Sequence, residues 1–406
     1  MSDPVNLGHG DKPCSIITPM KIMSLESILV DLPTIRAHKL ARQTVMQQTL
    51  VILRLRTDES IEGLGEATTI GGLSYGEESP ESIKSALDSY IAPIVIGLNP
   101  SNINHVMAEV ERHVVGNRLA KSALETALFD VSGKVLGVPA HRLLGGALTG
   151  AMECVWGLAS GDTDKDIEEA ERVLTLKLHR GFKIKVGSRD VEHDIEHVTR
   201  ISKAVAGRGS LRVDANQAWD ELTATRAIAA FESVGVSLIE QPLPKTNLEG
   251  MARLATRFDV AIMADEAVAT PHDAFAYAKY HAADVVALKI AKAGGLQSTK
   301  TVASIAAAGG LALYGGTMLE GTIGTLASLH AFATLPQPLA FGTELFGPLL
   351  LKDDIVQERP SYGNYSISVP DKPGLGVLIH EDKLAHYRRD KTRSVKPIAV
   401  LKQGSA

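Results

Sequence analysis

The sequence predicts an α/β protein, a closed parallel barrel of β/α units preceded by an α+β unit, and three observations carry that prediction. From about Cys154 short apolar runs alternate with amphipathic helical segments. A polar or ionisable residue stands at or just after the end of most runs, and these residues recur at intervals of 24 to 30 residues. A closed barrel with its site at the C-terminal strand ends needs one such residue per period, whereas an open doubly wound sheet would gather them around one switch point.

Taken in order, the chain divides into a flexible leader (1–22), an α+β capping domain (23–150), a barrel (151–348) and a C-terminal segment (349–406) that returns to the capping domain. The leader carries Asp3, Asp11, Lys12 and Pro13 among polar residues and lacks the basic-then-apolar order of a secretory signal. Strands are expected at Ser27–Leu32 and Thr49–Leu55, where β-branched and leucine residues cluster. Gly63–Ser79 is rich in Gly and Thr and reads as an exposed, mobile loop that Gly71, Gly72 and Gly76 leave free to open and close. Helices follow at Glu81–Ile91, Ile103–Val114 and Lys121–Leu136, the last stopped by Gly137 and Pro139.

In the barrel, strands are expected at Gly181–Val186, Ser210–Val213, Val236–Ile239, Val260–Met263, Val285–Leu288, Leu311–Tyr314 and Leu339–Gly342. Thr301–Leu319 is uncharged, yet Gly309, Gly310, Gly315 and Gly316 make it a broken helix followed by a strand, not a membrane span. The tail after Leu351 is irregular, with Pro360, Pro370, Pro373, Gly374 and Gly376.

Composition excludes several classes. With 406 residues, 45% of them apolar, the chain has material for a large core and needs no staple. Its net charge of −5 leaves no basic footprint for nucleic acid or an anionic membrane. Two cysteines, Cys14 and Cys154, fit a reducing, cytoplasmic setting. No GxGxxG follows a strand and opens a helix, so the glycines at 63, 65, 71 and 72 read as turn residues and not as a dinucleotide fingerprint.

The chemistry lies at the strand ends. Asp214, Glu240 and Asp265 close three successive runs and converge on one barrel mouth, where three unpaired carboxylates would be costly. A hard divalent cation with oxygen ligands, Mg²⁺ or Mn²⁺, one per site, resolves the repulsion. Singly, each is also an ordinary helix cap; three in successive periods are not. Lys183 and Lys185 share one face of a strand, close enough to depress each other's pKa, so that one can exchange a proton while the other attracts a carboxylate. Lys289, three residues before Lys292, follows the run at 285–288 and faces the site from across the metal.

That constellation resembles the enolase superfamily, and within it the muconate-lactonising enzymes. The closer match rests on Asp-Leu-Pro-Thr-Ile-Arg at 31–36, Gly-Glu-Ala-Thr-Thr-Ile-Gly-Gly-Leu-Ser-Tyr-Gly at 65–76, Phe-Lys-Ile-Lys-Val-Gly at 182–187 and Val-Asp-Ala-Asn-Gln at 213–217. It continues through Ile-Glu-Gln-Pro at 239–242, Met-Ala-Asp-Glu at 263–266 and Ala-Leu-Lys-Ile-Ala-Lys-Ala-Gly-Gly at 287–295. Tyr-Gly-Gly-Thr-Met-Leu-Glu-Gly at 314–321 and Gly-Thr-Glu-Leu-Phe-Gly-Pro-Leu-Leu at 342–350 complete it.

The resemblance implies a modified TIM barrel, (β/α)7β, and cycloisomerisation of cis,cis-muconate to muconolactone through a metal-stabilised enolate, in aromatic catabolism. It makes Asp214, Glu240 and Asp265 the metal ligands and Lys185 the proton-transfer residue. Lys183 assists it and holds substrate carboxylate, with Lys289 on the opposite face. Asn216 lies beside the metal, Glu344 closes the ring, Ile70 and Tyr75 sit on the loop over the substrate, and Lys292 supports the site. A small dicarboxylate is the implied partner and a homo-oligomer the implied assembly. Chloromuconate cycloisomerisation, or racemisation or epimerisation of amino-acid derivatives, uses the same barrel and stays open, because fold and metal set do not fix substrate. A binding protein that had lost its chemistry would not require opposed lysines around a metal.

Overall fold

The computed structural model describes residues 20–389, so Met1–Pro19, which includes Cys14 and most of the expected leader, and 390–406 of the tail lie outside the described residues. The chain opens with an antiparallel sheet of β1 (Ile22–Lys39), β2 (Thr44–Thr57) and β3 (Glu62–Thr68), paired as Val30 with Leu50 and Leu53 with Gly65. Helix α1 (Arg118–Leu136) lies across it, buried almost throughout from Ala120 to Gly133, and ends where Gly137 takes φ 67°.

Here one expectation is corrected: the stretch from Gly63 to Thr68 is a buried strand, and the loop is confined to the residues after it. Gly63 and Gly65 are not turn glycines but the places where α1 rests on the sheet. A Cβ on Gly65 would stand 2.0 Å from the Ala123 carbonyl oxygen, and one on Gly63 2.4 Å from that of Ala127. Low apolar content misled the sequence reading because this strand packs through its backbone, with the helix supplying the apolar surface.

β4 (Ala151–Glu153) leads into an eight-stranded parallel sheet of β5 (Val155–Leu158), β6 (Gly181–Lys185), β7 (Ser210–Asp214), β8 (Val236–Glu240), β9 (Ala261–Ala264), β10 (Val285–Leu288), β11 (Ala312–Gly315) and β12 (Leu339–Thr343). Each strand pairs with the next in sequence, and a parallel bridge between Cys154 and Thr343 joins the two ends into a barrel. Helices stand between successive strands, giving the (β/α)7β order. The seven runs read from sequence match β6–β12 within two residues at each end. β5 escapes that reading because it has four residues interrupted by Gly157, where a Cβ would meet the Phe346 ring at 2.9 Å.

Beyond the barrel, β13 (Tyr362–Gly363) pairs with β14 (Ser366–Ser368), which pairs with β4, and Leu351 bridges to Thr34 on β1. The Arg389 guanidinium reaches Asp31 of β1 at 2.8 Å, so the described part of the tail returns to the first sheet. No described helix is long and apolar enough to cross a membrane.

Candidate active site

Strand register places the charged residues at one end of the barrel. Lys185 lies beside Asp214 across β6 and β7, and Asp214 beside Glu240 across β7 and β8. Glu240 pairs with Met263, so Asp265 emerges just past the end of β9, as Lys289 does past β10 and Glu344 past β12. These are the C-terminal ends of a parallel barrel, where a site can be assembled from different strands.

The lysines distribute themselves among the carboxylates. The buried Lys183 ammonium is shared by Glu240 and Glu344 and lies 4.9 Å from the centre of the Tyr314 ring. Lys185 donates to Asp214 Oδ2. Asp265 Oδ2 takes Lys289 at 2.5 Å, and its Oδ1 takes Lys292 at 2.8 Å. Drawn apart in this way, no three acidic, His or Cys side chains among the described residues converge into a ready cage.

Burial pulls the Lys185 ammonium toward neutrality and Lys183 adds to it, but Asp214, with Glu344 and Glu240, outweighs them, and its pKa rises. Lys183 is likewise raised, because Glu240 and Glu344 more than offset its burial. The expected mutual depression therefore acts on Lys185 yet loses to the adjacent carboxylates. Glu240 is pushed upward by burial and by Asp214, since one ammonium serves two acids. Burial also acts on Asp265, but Lys289 and Lys292 hold it far below the usual carboxylate range. Lys292 is the exception among the four lysines, lowered by burial that Asp265 only partly offsets.

A cavity of about 340 Å³ opens above this cluster, near the small end of the usual range for small-molecule sites. Ile70 and Tyr75 line it with Asn216, Asp265, Lys289 and Lys292, whereas Asp214, Glu240 and Glu344 do not. Lys185 does not line it: it lines a separate water-sized cavity of about 20 Å³, and its charge acts on the Tyr75 phenol, whose pKa burial pushes up to about 12. Lys183 lines neither space. It is fully buried and committed to two acids, which does not fit the substrate-carboxylate role expected for it.

Sequence reasoning missed Glu266 and Arg118. Glu266 lines the cavity, accepts from Asn216 Nδ2 at 3.2 Å and leaves Oε2 buried without a partner among the described residues, as does Asn216 with Oδ1. Its signal was present, as the second acid of the Asp265-Glu266 pair. Arg118 had none, because it enters the cavity from helix α1 of the first sheet unit.

The loop after β3 is tied at both ends. The Tyr75 hydroxyl accepts from the Arg42 amide at 2.8 Å, and the Glu78 carboxylate accepts from the Leu119 amide at 3.0 Å at the start of α1. On β3 itself, Glu66 accepts from the Gly321 and Gly324 amides at 2.7 and 2.9 Å, at the start of helix α3 (Thr322–Phe332). It thereby anchors the stretch that carries Met318, another cavity residue. Burial, with Asp354 and Glu320 adding repulsion, pushes Glu66 up to about 8 against the pull of those amides. Between the unfolded carboxylate range and pH 8 the folded state holds a proton that the unfolded chain has lost, so this contribution to stability is full at low pH and falls as pH rises through about 8. Denaturant unfolding at pH 5 and pH 9 is expected to show that loss in the wild type and a flatter profile in Glu66→Gln; equal slopes would refute the assignment.

Comparisons with known proteins bear on this geometry. Residues 24–145 match the "Mandelate racemase / muconate lactonizing enzyme, N-terminal domain" model, and 165–383 match "Enolase C-terminal domain-like". A muconate cycloisomerase of Acinetobacter lwoffii is 51% identical over 92% of this chain and 97% of its own length. The crystal structure of a Pseudomonas fluorescens muconate lactonizing enzyme complexed with muconolactone superposes with a TM-score of 0.89 at 53% identity, covering 91% of this chain and 99% of that one. A chloromuconate cycloisomerase of Delftia acidovorans is 41% identical over 91% of this chain and all of its own length.

Proposed function

The chain belongs to the muconate cycloisomerase family of the enolase superfamily, and from that membership we propose that it converts cis,cis-muconate to muconolactone in aromatic catabolism. One observation carries the reading: Lys185 on Asp214 and Lys289 on Asp265 bracket three strand-end carboxylates, and Lys289 and Asp265 line a cavity sized for a small dicarboxylate. Fold alone would not choose the substrate, and the higher identity to muconate than to chloromuconate cycloisomerases supports the unsubstituted acid.

The donor set fits a divalent cation. Asp214, Glu240 and Asp265 offer only carboxylate oxygens from neighbouring strand ends, and Asn216, whose backbone amide donates to Asp214 Oδ1 at 2.8 Å, leaves its Oδ1 without a partner among the described residues. Such hard donors suit Mg²⁺ or Mn²⁺ and would hold it there. When bound, the cation supplies positive charge to a substrate carboxylate and to the charge that builds on it.

The chain's residues then divide the work. Ile70, Tyr75 and Met318 cover the substrate and exclude water. One carboxylate oxygen of muconate closes onto a diene carbon, and electron density moves toward the carbons next to the other carboxylate, where Lys289 offers a cation. The Lys185 ammonium delivers a proton from Nζ to the carbon adjacent to that carboxylate, and the resulting amine recovers a proton from solvent after product leaves. Lys183 and Glu344, outside the cavity, position Glu240. We assign 23–150 as the cap, 151–348 as the catalytic barrel and 349–406 as the returning tail, an arrangement supported by the Arg389–Asp31 pair. A cytoplasmic homo-oligomer completes the proposal, supported by the two-cysteine composition and by the family.

Lactonisation destroys the conjugated diene, so the ultraviolet absorbance of cis,cis-muconate is expected to fall with Mn²⁺-loaded protein and to stay constant after chelation. Absorbance that persists with metal would transfer the assignment to chloromuconates, or to proton exchange on N-acylamino acids.

A further inference from the structure

A dianionic substrate needs a second positive partner, and the cavity wall offers one that the reaction has not used. Four cationic side chains line it: Arg118, Lys245, Lys289 and Lys292. Lys289 and Lys292 are both engaged by Asp265, and Lys245, half-exposed, lies 3.5 Å from Glu77. Among the described residues, Arg118 alone of the four has no carboxylate within ion-pair distance and no hydrogen bond from its guanidinium. Burial raises the Glu78 carboxyl and the Arg118 charge draws it back, but that carboxylate is turned instead to the α1 amides of Leu119 and Ala120.

The position of Arg118 is built. It is the first residue of α1, and its Cβ and Cγ lie against Gly294, where an added Cβ would meet them at 3.7 and 3.6 Å. Gly294 and Gly295 follow α2 (Ile290–Ala293), which begins immediately after Lys289 and contains Lys292. The helix therefore presents Arg118 from the first sheet unit to the same wall that carries the barrel lysines. Half-buried, it holds its charge where a carboxylate would be partly removed from water, and a guanidinium can meet both oxygens of a carboxylate at once.

We propose that Arg118 is a specificity-determining residue that binds the carboxylate of the substrate lying away from Asp214, Glu240 and Asp265, so that the cavity selects dicarboxylates over monocarboxylates. This deepens the muconate reading and rests on it. Two saturated six-carbon acids separate the two claims without turnover: adipate, with both carboxylates, and hexanoate, with one. Calorimetric titration of the Mn²⁺-loaded protein is expected to show adipate bound at least about tenfold more tightly than hexanoate, as a charge-assisted pair would give.

Arg118→Met is expected to lose that preference by weakening adipate about tenfold while leaving hexanoate within twofold, and to raise KM for muconate more than it lowers kcat. Arg118→Lys, which keeps the charge without the fork, is expected to retain part of the preference and serves if the Met variant does not fold. A wild type that does not prefer adipate, an Arg118→Met protein that still does, or equal losses for both acids would overturn the proposal. Adipate selectivity that depends on Arg118 in a protein inert toward muconate would uphold Arg118 as a dicarboxylate ligand and reject the cycloisomerase reading.

Discussion

Lys185→Ala is expected to lower kcat on cis,cis-muconate by at least about a thousandfold, with the fold and metal binding retained. A positioned general acid typically contributes about a hundredfold to ten-thousandfold, and no second donor is available on that side of the site. Lys289 and Lys292 are both held by Asp265. Lys183 is buried beneath the cavity between Glu240 and Glu344. The substitution also frees Asp214, since Lys185 is the ammonium that engages it. Metal affinity is therefore expected to hold or rise, because a competitor for one ligand has gone. Turnover of muconate, Mn²⁺ titration and circular dichroism on the same preparation separate these effects. A variant that keeps turnover within tenfold would remove Lys185 from proton transfer, whereas one that loses metal along with activity would make its role structural.

The strand ends were legible in the sequence because a parallel barrel enforces a period, and the period survives in the spacing of charged residues even where individual strands are only four residues long. Asp214, Glu240, Asp265, Lys289 and Glu344 all stand where that spacing puts them. Two kinds of information were not legible. The first was close backbone packing: Gly63 and Gly65 have the composition of a loop, and only the ridge of α1 against them shows that they belong to a strand. The second was contribution from a distant segment. Arg118 sits 171 residues before Lys289, on a helix whose pattern speaks only of burial against its own sheet, so nothing local marks it as a cavity residue. The roles of the two lysines of β6 were half visible: a shared face follows from strand geometry, but which ammonium pairs with Asp214 and which is enclosed between two acids depends on where Glu240 and Glu344 close in.

That difference between the two lysines makes Lys183→Met the sharpest structural test. The side chains of Lys183, Glu240 and Glu344 are almost wholly removed from water, and one ammonium is shared between both acids. Burying such a triad contributes little net stability compared with an apolar core of the same shape, yet removing one partner strands the others, at a cost of about 3–5 kcal/mol. Met fills much of the lysine's volume, so the loss should report charge and not a cavity. The expected result is a fall of that size in unfolding free energy at pH 8, recovered in part at pH 5, since burial and Asp214 already push Glu240 toward its protonated form. Glu240 is also a proposed metal ligand, and without its ammonium it would be free to turn, so weaker Mn²⁺ binding and loss of turnover are expected together. The double variant Lys183→Met with Glu344→Gln removes one stranded charge and is expected to regain stability over the single variant. If Lys183→Met instead unfolds like the wild type and only KM for muconate rises, Lys183 touches substrate, and its place beneath the cavity is not the one it works from.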